Sequence, residues 1–221
     1  PDPPALPTAR GGRERLAADL PADARRPVLC PGLNLGLQDA VNLGWKLAAT
    51  VRGWAPQGLL DTYETERRPV AERVVMSTQA QSALIGPGDE ITGLRELFAE
   101  LLRIPEVTGH IAALMSGADI HYPADPADPL AGRCAPDVVV HADQGAVRLA
   151  ELTRTARPLL LDSTGVYAEV AAPWRDRVDV VSGALRGTTA LLVRPDCFVA
   201  WSAGDADTLR ASLTHHFGPP R

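Results

Sequence analysis

The chain has 221 residues, of which 45% are hydrophobic but only 5% aromatic, and its formal net charge is −5. That is enough for one large or two small domains, with Leu, Val and Ala filling the core. The acidic balance argues against electrostatic nucleic-acid binding, which needs a basic face, and no apolar run approaches the roughly 18 residues of a membrane helix.

Residues 1–31 are rich in Pro, Ala, Arg and Asp and show no sustained apolar period. An irregular arm is expected there, with a short helix around Arg13 to Asp19. No signal-peptide core of apolar residues is found in this stretch. The clearest helix is expected over 34–52. Leu37, Ala40, Val41, Gly44, Leu47, Ala48 and Val51 recur at the spacing of one helical face. Gly53 stands where a C-terminal glycine would end it.

A second helix is expected from Gly58 to about Leu84, with an apolar stripe of Leu59, Leu60, Tyr63, Val70, Val74 and Val75. Pro69 removes one backbone donor inside it and predicts a kink. Gly86-Pro87-Gly88 breaks the chain. Two shorter helices follow, near Glu90 to Leu102 and Pro105 to Ser116, the first burying Leu94, Leu97, Phe98, Leu101 and Leu102. The proline- and glycine-bearing stretch 121–133 reads as a linker.

From Ala135 the period shortens. Val138 to Val140, Pro158 to Leu161, Val178 to Val181, Ala190 to Val193 and Phe198 to Trp201 read as strands. Leu149 to Thr155, Tyr167 to Trp174 and Ala206 to Phe217 read as helices, the last capped by Asp205. Arg194-Pro195-Asp196-Cys197 suits a type I turn. The whole predicts a mixed α/β fold: a helical part over 32–120, then a small α/β sandwich over 134–221.

Few side chains suggest chemistry by themselves. Cys30, Cys134 and Cys197 are odd in number, widely spaced and form no CxxC pair. Neither a disulfide framework nor a zinc site is expected, and the thiols read as reduced, in a cytoplasm. His110 and His121 are isolated. His215 and His216 are adjacent and cannot chelate well from one helix face. His141 near Asp143 lacks a third ligand. Glu64 can pair with Arg67 or Arg68 across one helical turn. The stretch from Gly32 is different. A glycine-bounded loop feeding a helix N-terminus offers free backbone N–H groups and a partial positive charge, which suits an anion or an electron-rich carbonyl.

The segment Gly32 to Leu47 resembles the flavin-facing loop and helix of FAD-dependent aromatic hydroxylases of the para-hydroxybenzoate hydroxylase fold. The family reads Gly-Gln-Gly-Leu/Met-Asn, a variable trio, then Asp-Ala-x-Asn-Leu-x-Trp-Lys-Leu. Gly32, Leu33, Asn34, Asp39, Ala40, Asn42, Leu43, Trp45, Lys46 and Leu47 match it. Leu60 to Ala71 resembles the family's Tyr-x-x-Glu-Arg-Arg-Pro-x-Ala helix. Gly132 to Asp137, Pro158 to Asp162 and Leu191 to Trp201 resemble the thioredoxin-like C-terminal domain of the polyketide and phenol hydroxylase branch, with Cys197 where the family has Gly.

The resemblance implies FAD as cofactor, NADPH as co-substrate and an aromatic small molecule as substrate. It places the cofactor at Gly32, Leu33 and Asn34: Gly32 would let the backbone approach closely, and the backbone amides of Leu33 and Asn34 would meet the flavin pyrimidine edge. It gives Asp39 and Asn42 the task of fixing the helix, and Trp45 and Leu47 a packing role. It names no catalytic acid or base. Missing are the family's GxGxxG turn, its Asp-Gly segment and the upstream Gly-Asp-Ala-Ala-His, echoed only by Asp23-Ala24; Cys30-Pro31 replaces the motif's Gly-Gln, and the thioredoxin-like part has no redox dithiol, reading Ser163-Thr164-Gly165-Val166. A partial chain, inactive without its FAD-binding half, is therefore expected. A non-catalytic subunit or interaction module is the alternative, and a homodimer or the missing half is the expected partner. In either case an apolar face exposed on the first long helix would need covering.

Overall fold

The computed structural model describes residues 31–142, 145–185, 187–202 and 204–220. The expected N-terminal arm and its short helix lie outside the described residues, as does the Asp23-Ala24 echo.

Among the described residues four helices come first: α1 (Pro31–Val51), α2 (Thr62–Ile85), α3 (Asp89–Leu101) and α4 (Pro105–Ser116). A hairpin of β1 (Val139–Ala142) and β2 (Gly145–Arg148) leads into the short α5 (Leu149–Leu152). Then come β3 (Leu159–Asp162), α6 (Val166–Ala171), β4 (Asp179–Ser182), β5 (Ala190–Val193), β6 (Val199–Ser202) and α7 (Ala206–Phe217). The main sheet has the order β4-β3-β5-β6. β3 runs parallel to β4 and antiparallel to β5, and β6 is antiparallel to β5. A parallel βαβ unit followed by an antiparallel hairpin and a closing helix is the thioredoxin-like topology. Only β2 was not anticipated. Its Gly-Ala-Val-Arg sequence carries one large apolar residue, too few for a period-2 signal.

The centre of the sheet explains itself. Successive strand residues point to opposite faces. Leu160, Ala190 and Leu192 join Trp174, Leu209, Leu213 and Phe217 on one side. Leu159, Leu161, Leu191 and Val193 join Val138, Val140 and Leu149 on the other. β3 and β5 are buried on both faces, so they read as unbroken apolar runs. Asp205 caps α7 as expected, its side chain accepting from the Thr208 N–H.

The predicted turn at 194–197 closes through Cys197 N–H to the Arg194 carbonyl, 2.9 Å, and Arg194 N–H donates to Phe198, 2.8 Å. Cys197 has φ +63°. A turn followed by one left-handed residue is the bulged three-residue hairpin, in which glycine is preferred at that residue. Gly132 is required for a different reason: at φ +77° a Cβ there would collide with the Tyr122 carbonyl oxygen. Residues 121–133 form no regular element, yet they are pinned. The Tyr122 ring stacks on Phe198 at 3.9 Å, and Asp128 accepts from the Ser202 N–H at 2.6 Å.

The helical part departs from the periodicity argument. In α1 the buried residues are Asn42, Trp45, Lys46 and Ala49, while Leu33, Leu37, Val41, Leu47 and Val51 are exposed. Trp45 packs in the core as expected; Leu47 does not. In α2 the buried residues are Glu66 and Arg67, and the helix runs through Pro69. Leu60 and Val75 of the expected stripe are exposed. No residue of α3 is buried, and its expected inner face shows Leu94, Leu97 and Leu101 to solvent. The spacing identified these helices correctly, but their inner faces are chosen by polar contacts or left uncovered.

Candidate functional site

α1 begins one turn earlier than its glycines suggest. Pro31 suits a first helical position, because its fixed φ is helical and the missing N–H would be unpaired there anyway. Asn34 therefore lies inside the helix and does not cap it. Gly32, Leu33 and Asn34 share the exposed first turn, with Leu33 79% accessible. Among the described residues, and apart from the helix's own backbone, no atom lies within 4 Å of where a Cβ on Gly32 or Gly36 would stand. The leading N–H groups of a helix have no internal partner, and the helix dipole makes this end weakly positive. An open, small-residue helix end fits the electron-rich edge of a flavin ring. Among the described residues it offers one wall of such a site.

Ten residues further along, α1 is held by charge. Lys46, with no accessible surface, donates from Nζ to Glu66 Oε2 at 2.8 Å. Glu66 also takes both arms of the Arg194 guanidinium, at 2.7 and 2.8 Å. Arg194 in turn grips Asp196 at 2.6 and 3.0 Å. Asn42 Nδ2 donates to Glu66 at 2.7 Å and to Asp196 at 3.0 Å, and Trp45 Nε1 donates to Asp196 at 3.2 Å. The guanidinium carbon lies 5.3 Å from the Trp45 ring and 5.2 Å from that of Tyr122.

Two cations and two anions leave this buried group neutral. Burial alone would raise the Glu66 carboxyl, but the hydrogen bonds and charge of Arg194, with Lys46 and Asn42, hold it at about 2. Burial pulls Lys46 down, against the support of Glu66. Burial likewise opposes the charge on Arg194, and Asp196 and Glu66 more than restore it. His216 faces this cluster from α7. Burial, then the charges of Arg194 and His215, push its pKa well below the usual histidine value.

A second network lies nearer the open end. Arg67 Nε donates to Asp39 at 2.6 Å, and its other nitrogens donate to the Tyr122 hydroxyl at 3.0 Å and to Gln38 at 3.2 Å. Asp39 and Asn42 thus fix α1 as expected. Of the two pairings foreseen for Glu64, only Arg68 forms, at 3.2 Å and exposed. Arg67 turns inward.

The thioredoxin-like part holds no thiol where β3 meets α6. Asp162 is buried there. One carboxylate oxygen accepts from the Thr164 N–H and hydroxyl and the Gly165 N–H, the other from the Tyr167 and Ala168 N–H groups, all at 2.8–3.0 Å. Cys134 and Cys197 are free thiols elsewhere, the first exposed and the second half-buried, and partial desolvation of the sulfurs, with the nearby Asp196 charge, raises both above the usual cysteine value. Raised thiols are poor nucleophiles at neutral pH.

Reasoning from sequence singled out Gly32, Leu33 and Asn34 and missed the meeting of Lys46, Glu66 and Arg194. The available signal was Asn42, Trp45, Lys46 and Ala49, spaced as a second face opposite the apolar one.

Residues 128–220 match the family described as aromatic-ring hydroxylase, C-terminal, and residues 15–78 match the FAD binding domain. The chain is 45% identical over 224 aligned residues to a 12-dehydrotetracycline 5-monooxygenase/anhydrotetracycline 6-monooxygenase of Streptomyces rimosus, covering 96% of this chain and 44% of that protein. It is 41% identical to a rifampicin monooxygenase of Rhodococcus hoagii, covering 95% of this chain and 43% of that one. The solved structure of OxyS anhydrotetracycline hydroxylase from Streptomyces rimosus superposes with a TM-score of 0.82 at 46% identity, over 86% of this chain and 42% of OxyS. The chain spans less than half the length of these relatives. With both family matches and this shared fold, the chain carries the C-terminal domain of the aromatic-ring hydroxylase family and part of its FAD binding domain.

Proposed function

We propose that this chain supplies the flavin-facing helix and the C-terminal unit of an FAD-dependent monooxygenase that hydroxylates an aromatic, polyketide-like small molecule, with NADPH as co-substrate. The observation that carries this reading is the open first turn of α1, in the one stretch whose residues match the flavin-facing motif. The bound flavin supplies the oxygen-activating chemistry. The chain's own part would be to hold and orient it: Gly32, Leu33 and Asn34, with the free N–H groups of this first turn, would line the flavin ring, and the helix end would favour negative charge there. Residues 32–120 belong with the cofactor and substrate body, 121–133 connect, and 134–221 form the thioredoxin-like unit. The apolar stripe from Leu33 to Val51 packs against the remainder of the FAD-binding fold. No helix among the described residues is long and apolar enough to cross a membrane, and the free thiols of Cys134 and Cys197 suit a reducing cytoplasm.

The exposed stripe also favours a second reading, a non-catalytic module that docks through α1. An FAD titration of the chain, followed by flavin absorbance and fluorescence, separates the two. The monooxygenase reading expects saturable binding with a perturbed spectrum. It expects Gly32→Leu to abolish binding without loss of far-UV helicity, since that position has room for a side chain but not for a side chain and a ligand. Absence of binding by the unmodified chain means that it is not a self-sufficient flavoprotein, and the same titration is then made with a partner chain that supplies the rest of the FAD-binding fold.

A further inference from the structure

Three stretches far apart in sequence converge on one carboxylate. Asn42 and Lys46 reach Glu66 from α1, and Arg194 reaches it from the β5–β6 hairpin, 128 residues away. The hairpin residue Asp196 closes the group by binding Asn42 and Trp45. Arg194 and Asp196 leave only 4% and 3% of their side-chain surfaces accessible. Apolar residues of similar volume would often serve stability as well or better, because desolvating ions is costly. What ions add is direction: a two-armed guanidinium fixes the angle and distance of its partner.

α1 needs such a device. Its apolar stripe faces away from the thioredoxin-like unit, and only Trp45 and Ala49 enter the shared core. Loss of the hairpin's ionic contacts would leave that small patch and the Arg67–Asp39 pair from α2 to determine the pose of a 21-residue helix.

We infer that Arg194 and Asp196 are positioning residues, through which the α/β unit, which has no redox dithiol, sets the pose of α1 and hence of the amides at its N-terminus. Ten residues separate Asn42 from Gly32, roughly 15 Å along a stiff helix. A tilt at the cluster therefore displaces the Gly32 turn. The consequence for flavin rests on the function proposed above; the seating of α1 does not.

Hydrogen–deuterium exchange on the 221-residue chain, without FAD, tests the seating. In Arg194→Met the amides of residues 35–50 are expected to exchange about tenfold faster or more, from the loss of charged hydrogen bonds, while β3 and β5 keep their protection. Arg194→Lys, which keeps the charge but not the fork, is expected to recover part of the protection. Acceleration of α1, β3 and β5 together would overturn the inference, because the cluster would then be a general stabiliser. An unchanged α1 would overturn it as well. Should Arg194→Met fail to fold, Asp196→Asn decides by the same pattern, since it leaves the Arg194–Glu66 fork in place. Where the unmodified chain binds FAD, the variant that loosens α1 is expected to bind it more weakly, with an altered flavin spectrum. Failure of the unmodified chain to bind FAD bears on the cofactor reading alone and leaves the exchange result standing.

Discussion

At β3 and β5 every buried position but Asp162 is apolar; at α1 and α2 most buried positions are polar or charged and several large apolar residues face outward. Leu159 to Leu161 and Ala190 to Val193 lie fully inside, sorted by strand alternation onto two faces. In the helices the interior holds Asn42, Lys46, Glu66 and Arg67, while Leu33, Leu37, Val41 and Val51 look outward. The two regions solve different problems. The sheet buries apolar area, a force without direction that tolerates small shifts. The helices bury charge, which is costly to desolvate and demanding in geometry. A contiguous outward apolar stripe is a surface made to be covered.

This contrast breaks first at Glu66. Glu66→Ala leaves Arg194 and Lys46 buried without their shared anion and is expected to cost about 3–5 kcal/mol in denaturant unfolding. The pH dependence carries the same signature. The folded Glu66 pKa of about 2 lies below the usual glutamate value of 4.5. Its stabilisation is therefore complete above about 4.5 and lost as pH falls towards 2. His216, also depressed when folded, contributes stability that begins to fall below its usual value of 6.5. Glu66→Ala should flatten the acid limb and spare the one near 6.5. An unchanged acid limb would mean that the cluster is dispensable.

The sheet side is next. Leu160→Ala should cost about 2–5 kcal/mol by opening a cavity, whereas Leu37→Ala on the outward stripe should stay within about 0.5 kcal/mol. Similar losses at both would mean that α1 is covered in solution. The smallest effect belongs to the hairpin. Cys197→Gly removes a Cβ from a left-handed residue and should raise stability by about 1 kcal/mol, seen as a higher Tm. A lower Tm would mean that the contacts of the thiol outweigh the strain.

How much of this was legible follows from the same contrast. Pro158 to Leu161 and Ala190 to Val193 announced themselves as strands because burial on both faces leaves no polar interruptions. The 194–197 turn and the Asp205 cap were legible because their chemistry is local. The helices were legible as helices, since Leu37, Val41 and Val51 keep a regular spacing whichever way they point. Their inner faces were not, because the partners of Lys46 and Glu66 lie 20 and 128 residues away along the chain and no local period encodes them. The open turn at Gly32 was found only through a family pattern. Glycines ahead of a helix are common, and nothing local sets this pair apart.

Asp162 has a consequence for how the thioredoxin-like unit could change. In a dithiol enzyme of this topology the amides opening the helix after the central strand are vacant until a thiolate forms, and that vacancy lowers the thiol pKa. Here the seat is taken by an internal carboxylate. Placing cysteines at Ser163 and Val166 would not restore electron exchange, because each new sulfur would compete with a resident charge for the same donors. The fold has been closed to redox chemistry from within, and a reversal would have to begin by evicting Asp162.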